Sequence, residues 1–346
     1  MKKILFAMLF SFLSLFSCKG HEDLSVEAFG KMLLEDGSAQ IVDVRTPEEY
    51  GAGHLAGAVN IDWFGKDFLV RATSELDPGR PVMVYCRSGK RSAAAAARLE
   101  KSGFKVYNLA GGYLAWTGAG KPSTTYEVER FAAPSGAPVE ITLIKHGSLE
   151  IRSKGLSIQV DPVTDLGRRT DYASDFPKAD VILVTHEHFD HFDKEAIGTL
   201  RKAGTVLMTN TRCADMLGWG TALSNGGKTT LPGDILLEAV PAYNTTEGRL
   251  QFHPKGRDNG FVLNIDGLRI YIAGDTEDIP EMADLKDIDI AFLPVNQPYT
   301  MTVGQCVSAA QTISPKVLIP YHFGETDLSS LPEQLPGMKV QLRNMQ

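Results

Sequence analysis

Short apolar runs separated by polar turns dominate the chain. In the first third, "IVDV" (41–44), "VMVY" (82–85) and "KVYNL" (105–109) are too brief for helices and read as strands. Between the last two lies "SAAAAARLEKSGF" (92–104), an alanine-rich helix with a Gly stop, suited to close packing on a sheet. Strand, helix, strand at this spacing predicts a parallel α/β sheet. From residue 139 the strand-like runs crowd together: "ITLIKHG", "LSIQVD", "VILVTHEH", "TVLMT", "ILLEAVPAY", "FVLNIDGLRIYIAGD", "IDIAFLPV" and "KVLIPYH". Helical stretches fall only near 193–202 and 302–313. Many strands and few helices predict two sheets covered by helices. The intervening "KPSTTYEVERFAAPSGAP" (121–138) holds no sustained period and reads as a linker between domains at 22–120 and 139–346.

The first 17 residues break this pattern. Lys2 and Lys3 precede an apolar run from Ile4 to Phe16, too short for a comfortable span and suited to a secretory signal. The run ends Leu15-Phe16-Ser17-Cys18, which resembles the bacterial lipoprotein signal, and that resemblance implies lipidation of Cys18. Lys19 in place of an Asp points to the outer membrane, so the expectation is an exported, lipid-anchored envelope protein. The formal net charge of −7, with no basic stripe, gives no reason to expect nucleic acid. With Cys18 lipidated, Cys86, Cys213 and Cys306 are an odd set that argues against a disulfide framework; the last two read as buried.

Cys86 ends a strand and opens the loop Arg87-Ser88-Gly89-Lys90-Arg91 before the alanine helix. Backbone N–H groups in such a loop form an anion cradle, and the helix N-terminus and three cations add positive potential. A cysteine there has a lowered pKa and can hold sulfane sulfur as a persulfide. The surrounding residues resemble the rhodanese family: "IVDVRTPEEYGAGHLAGAVNID", "YCRSGKRS" and "LAGGYLAW" match its signatures across about 22–120. The resemblance implies that Cys86 carries sulfur from thiosulfate or a persulfide-type donor. It implies too that residues 87–91 wrap the substrate anion, with Asp43, Arg45 and His54 structural.

The densest chemistry is "VTHEHFDHF" (184–192), with three histidines and an aspartate inside six residues. At a strand end the backbone can turn so that His186 and His188 face one cation while Asp190 and His191 face another. Two such ions would make water a nucleophile at neutral pH. This spacing resembles the metallo-β-lactamase superfamily, over about 139–323. The resemblance implies an αββα sandwich after the α/β rhodanese domain. It implies Asp275 of "IAGDT" as the bridge between ions and His322 of "VLIPYHFGE" as the last ligand, with Asp161 orienting the site from outside. Smaller motifs, among them "IKHGSLEI", "AVPAYN" and "HPKG", resemble the metal-dependent hydrolases related to ascorbate-lactone lactonases. Relatives there often carry His where this chain has Asn244; His253 is expected to complete the first ion's ligands, with Asn244 or water as the alternative. His146 and Tyr243, like Asn244, are candidate substrate contacts, although a core role for His146 stands beside that. Asp190 has a second possible role as proton acceptor, and Tyr243, Tyr299 and Tyr321 are candidate oxyanion donors.

The expected function is therefore bifunctional: sulfur transfer through Cys86, and hydrolysis of a small-molecule ester, lactone, amide or phosphoester at two divalent ions. Zn²⁺ is expected, with Mn²⁺ or Fe²⁺ as alternatives. A second reading is persulfide dioxygenation at one iron held by two His and one Asp. A third is a rhodanese module that only binds or senses thiols.

Overall fold

The computed structural model describes residues 21–345; the signal-like segment and Cys18 lie outside the described residues. The chain forms two compact units. Among the described residues, one comprises 21–32, 39–50 and 59–121, the other 33–38, 51–58 and 122–345.

The first unit holds a five-stranded sheet in the order Glu22–Leu24, Val106–Leu109, Val82–Tyr85, Gln40–Asp43, Ala58–Asn60. The pairings among the first four strands are parallel. The alanine helix spans Lys90–Glu100 and buries Ser92, Ala95, Ala96 and Leu99, the i, i+3, i+4, i+7 stripe. Its alanines pack with Val82, Val84 and Val106 of the sheet. Small side chains on that stripe bring the helix N-terminus close to the strand end that carries Cys86.

The second unit has two seven-stranded sheets. In the first, strands Glu127–Ala132, Pro138–Lys145, Ser148–Ser153 and Leu156–Val160 are antiparallel. Val181–Val184, Val206–Thr209 and Thr221–Ala222 then continue in parallel. The second sheet repeats the plan: Lys228–Leu231, Ile235–Ala242, Asp258–Ile265 and Leu268–Ile272 are antiparallel, then Ile290–Pro294, Val317–Tyr321 and Lys339–Val340 are parallel. Alternate residues explain the layering. Leu237, Phe261, Leu263, Ile270 and Ile272 face the first sheet's Ile141, Ile151, Ile158 and Val181 in the inner core. The residues between them, such as Val262 and Tyr271, pack outward beneath the helix Val303–Ile313. That helix starts on a Thr302–Gln305 capping box and buries Cys306. Lys194–Leu200, capped by Asp193, covers the first sheet. The layers are helix, sheet, sheet, helix.

Two expectations need correction. The segment 121–138 is not linker throughout: Glu127–Ala132 is an edge strand paired to Pro138–Lys145. Its alternating charges hid it, because Glu129 and Arg130 are neutralised by partners elsewhere in the sequence, Arg343 and Glu140. The single run "FVLNIDGLRIYIAGD" is a hairpin. Asp266 and Gly267 both adopt positive φ, 49° and 92°, as a two-residue turn between twisted strands requires.

Parallel strands carry their carboxyl ends to one rim in each sheet. Asp161 follows Val160, Thr185 to His191 follow Val184, Asp275 follows the strand ending at Ile272, and His322 follows Tyr321. Function gathers where such ends meet.

Candidate metal centre

The strand Val181–Val184 is fully buried and fixes where the histidine motif begins. Thr185 is then clamped by Asp161: its N–H donates to Oδ1 and its hydroxyl to Oδ2, both at 2.7 Å. Past His188 the chain closes into a turn, the N–H groups of His191 and Phe192 donating to the His188 carbonyl. Glu187 points aside, between Arg212 and Arg257 at 3.3 Å each. The turn leaves His186 and His188 in one cluster and Asp190 and His191 in another.

In the first cluster His186 Nε2 and His253 Nε2 lie 3.1 and 3.2 Å from His188 Nδ1. Asp275 Oδ2 lies 3.4 Å from His253 Nε2 and 3.9 Å from His186 Nε2. In the second, Asp275 Oδ1 is 3.3 Å from His191 Nε2, Asp275 Oδ2 is 3.2 Å from His322 Nε2, and Asp190 Oδ2 is 3.5 Å from His322 Nε2. Donors about 2.0–2.1 Å from a tetrahedral ion stand about 3.3 Å apart, the spacing found in both clusters. His191 Nε2, His322 Nε2 and Asp275 Oδ1 are buried without a hydrogen-bond partner. Buried orphan donors and lone pairs turned toward one point are costly unless a cation takes them, so the residues fit a metal.

The electrostatics differ between the clusters. Burial pushes His253 down to about 4 and His186 well below the ordinary imidazole value, so both stay neutral. Burial also opposes protonation of His322 and His191, but Asp275 outweighs it, helped by Asp190 for His322 and Asp161 for His191. His322 is raised to about 9 and His191 well above its ordinary value. Asp190 would be raised by burial, yet its bonds to His146 and His322 hold it far below the carboxylate range.

The outer partners are equally specific. Asp161 Oδ2 accepts from His191 Nδ1 at 2.8 Å, fixing Nε2 toward Asp275. Asn244 Oδ1 accepts from His253 Nδ1 at 2.8 Å and does the same for the first cluster. Asn244 is therefore neither ligand nor substrate contact; it is 2% exposed and its amide donates to the Tyr299 carbonyl. Tyr243 is corrected too: its phenol is bound by Glu281 and Lys255. Tyr321 is enclosed, its hydroxyl accepting from the Gly274 N–H at 2.9 Å, which removes it as an oxyanion donor. Tyr299 is 46% exposed, its ring against Phe252. His146 Nε2 lies 3.1 Å from Asp190 Oδ2 and its ring 3.7 Å from that of His322. Two contributors escaped the sequence reading: Thr185, whose hydroxyl lies 2.9 Å from His186 Nδ1, and Glu277, which ties the Thr245–Thr246 backbone beside Asn244. Each adjoins a named motif, which is the signal that could have found them.

In the other unit Cys86 is 1% exposed at its strand end. Its Sγ accepts from the Ser92 hydroxyl at 3.4 Å. Burial raises the thiol pKa, but this bond and the N–H groups of Ser92, Ser88 and Gly89 outweigh it and lower the value. Gly112 is required behind the loop: at φ +61° a Cβ would stand 2.3 Å from the Cys86 carbonyl oxygen. Arg87, Ser88 and Lys90 are exposed around the cradle. Arg91 forms a two-pronged pair with Glu49 at 2.7 and 2.8 Å, which lowers Glu49 to about 2 and braces the loop, while the same guanidinium also interacts with the Cys86 thiol. Asp43 and Arg45 pair with each other, buried, as structural residues.

Residues 140–322 match the model of the β-lactamase superfamily domain, and residues 25–119 that of the rhodanese-like domain. A UPF0173 metal-dependent hydrolase of Ligilactobacillus salivarius is 33% identical, over 54% of this chain and 85% of its own. One of Myxococcus xanthus is 30% identical, over 68% of this chain and 88% of its own. A crystallised Parabacteroides distasonis protein assigned as a metal-dependent hydrolase is 53% identical with a TM-score of 0.62, covering 64% of this chain and 100% of that one. With the matching model spanning more than half its length, this chain belongs to the β-lactamase superfamily, as a metal-dependent hydrolase fused to a rhodanese-like domain.

Proposed function

We propose that the C-terminal domain is a two-ion hydrolase of small esters, lactones, amides or phosphoesters, joined to a sulfur carrier in an exported, lipid-anchored protein. One observation carries the hydrolase reading: Asp275 Oδ2 lies within 3.2–3.9 Å of His322, His253 and His186, donors of both clusters. A single carboxylate oxygen shared in this way supports a bridged pair of ions. Imidazole-rich donors with carboxylates suit Zn²⁺ first, then Mn²⁺ or Fe²⁺. When bound, such ions polarise the scissile group and make water nucleophilic at neutral pH. The chain's own residues do the rest. Asp161 and Asn244 set the imidazole tautomers; Asp190, a carboxylate of depressed basicity, suits a ligand better than a proton acceptor.

For the first domain, the lowered Cys86 thiol and its N–H cradle support transfer from thiosulfate or a persulfide. Export and lipidation at Cys18 rest on the signal-like residues alone.

The test is metal analysis of the purified protein with a panel of those four substrate classes. Two zinc per chain and turnover of at least one class are expected, with Asp275→Asn losing both. One iron per chain with oxygen uptake on a persulfide would replace this reading by the dioxygenase one. Cys86→Ala should abolish thiosulfate-to-cyanide transfer and leave hydrolysis intact; unchanged transfer removes Cys86 from the sulfur chemistry.

A further inference from the structure

Of three consecutive residues, His146 and Gly147 touch the second cluster and Ser148 touches Asp161, the outer partner of His191. His146 Nε2 lies 3.1 Å from Asp190 Oδ2, the oxygen that faces His322. Its ring lies on that of His322, centroids 3.7 Å apart, and its carbonyl accepts the His322 N–H at 3.1 Å. His146 and His322 hold this arrangement at φ +48° and +47°, a region that costs a non-glycine residue free energy and persists only when the surroundings enforce it. Gly147 passes beneath His191: a Cβ there would stand 2.8 Å from Cε1 and 3.0 Å from Nδ1 of that ring. The Ser148 hydroxyl donates to the carbonyl of Asp161, the residue that fixes the His191 tautomer.

The first cluster is held by other means. His253 is oriented by Asn244, and His186 by Thr185.

We propose that His146 is the positioning residue of the second ion: it donates to Asp190, buttresses His322, and so sets that ion's affinity independently of the first. This rests on the two-ion reading above. The chemistry is ordinary for an outer partner. Such groups hold a first-contact ligand in its binding rotamer, and their loss typically costs about 10–100-fold in metal affinity. His146 reaches Asp190 and His322 and Gly147 underlies His191, so these two contacts fall on the second cluster, whereas Ser148 meets Asp161, which serves both clusters through His191 and Thr185.

The test is a titration of the metal-free full-length protein with Co²⁺, followed by its visible absorption and by calorimetry, without substrate. Wild type should bind two ions in resolvable steps. His146→Ala should weaken one step by about 10–100-fold and leave the other unchanged. Asn244→Ala should weaken the opposite step. His146→Gln, whose amide N–H can still donate to Asp190, should recover part of the loss. Gly147→Ala, which displaces His191, should weaken the same step as His146→Ala and stands in if that variant does not fold. The proposal is overturned if both His146→Ala and Gly147→Ala keep both steps, or weaken the step that Asn244→Ala weakens. A wild type that binds a single ion removes the two-ion reading itself, a separate and recognisable outcome.

Discussion

Replacing Asn244 by alanine removes two hydrogen bonds with different consequences. Its Oδ1 holds the His253 Nδ1 proton at 2.8 Å, and its amide donates to the Tyr299 carbonyl at 2.8 Å. The first bond chooses the tautomer that leaves Nε2 free to bind an ion. Loss of such a partner costs about 10–100-fold in metal affinity, or about 1.4–2.7 kcal/mol. The second bond serves stability, because a donor left without its acceptor, or the reverse, costs about 1–3 kcal/mol when buried. Asn244→Asp separates the effects. A carboxylate still accepts from His253 but repels the Tyr299 carbonyl, so affinity should hold while the metal-free protein melts at a lower temperature. Co²⁺ titration and thermal unfolding of the metal-free chain measure the two quantities independently. A folded Asn244→Ala protein binding both ions as tightly as wild type would refute the assignment of Asn244 as the partner that orients His253.

The two clusters should also answer differently to pH. His322, raised to about 9, and His191, raised well above its ordinary value, each carry a proton at neutral pH that an ion must displace, so the second ion's affinity should rise about a hundredfold per pH unit from about 7 toward 9. His253 at about 4 and His186 are already neutral there, so the first ion's affinity should be nearly flat; equal slopes in titrations at several pH values would contradict this. In the rhodanese-like domain, ultraviolet thiolate absorbance should show Cys86 titrating below the ordinary thiol value, with Ser92→Ala moving that midpoint upward. Cys213 and Cys306, pushed up to about 12 by burial, should stay silent in that range, and a midpoint indifferent to Ser92 would discount the hydroxyl.

What the sequence could disclose depended on how local each cause is. His186, His188, Asp190 and His191 are adjacent in the chain, and a strand end with that density of ligating groups has few other uses. The alanine stripe and the Cys86 loop are local in the same sense. Asn244 and His253 lie nine residues apart, and their bond forms only when the intervening loop, held by Glu277, folds back. The Arg91–Glu49 pair spans 42 residues, so the partner that braces this basic residue beside Cys86 shows in no short stretch of sequence. The strand Glu127–Ala132 lacked a readable period for a related reason. Its charged residues are compensated by Glu140 and Arg343, which no window of sequence shows together. His146 looked like a substrate contact or a core residue, and nothing nearby in the sequence points to Asp190, 44 positions on.

The division of charge between the clusters has a consequence for how the domain tolerates the loss of its ions. In the metal-free state Asp190 and Asp275 face His322 and His191, both of raised pKa, so protons there occupy the electrostatic role that a cation would take. The first cluster needs no such substitute, because burial keeps its imidazoles neutral and Asn244 and Thr185 keep them oriented. Asp190 and Asp275 are then each faced by a protonated imidazole, so the metal-free domain does not bury those two carboxylates unpaired. Folding is supported by the apolar interior between the two sheets, from Val139 and Ile158 to Phe261 and Ile319, which lies below the rim and contains no ligand. Stability and chemistry are thus separated in space. The sandwich supplies a fixed rim, and the polar groups above it are free to be selected for ion affinity and tautomer alone.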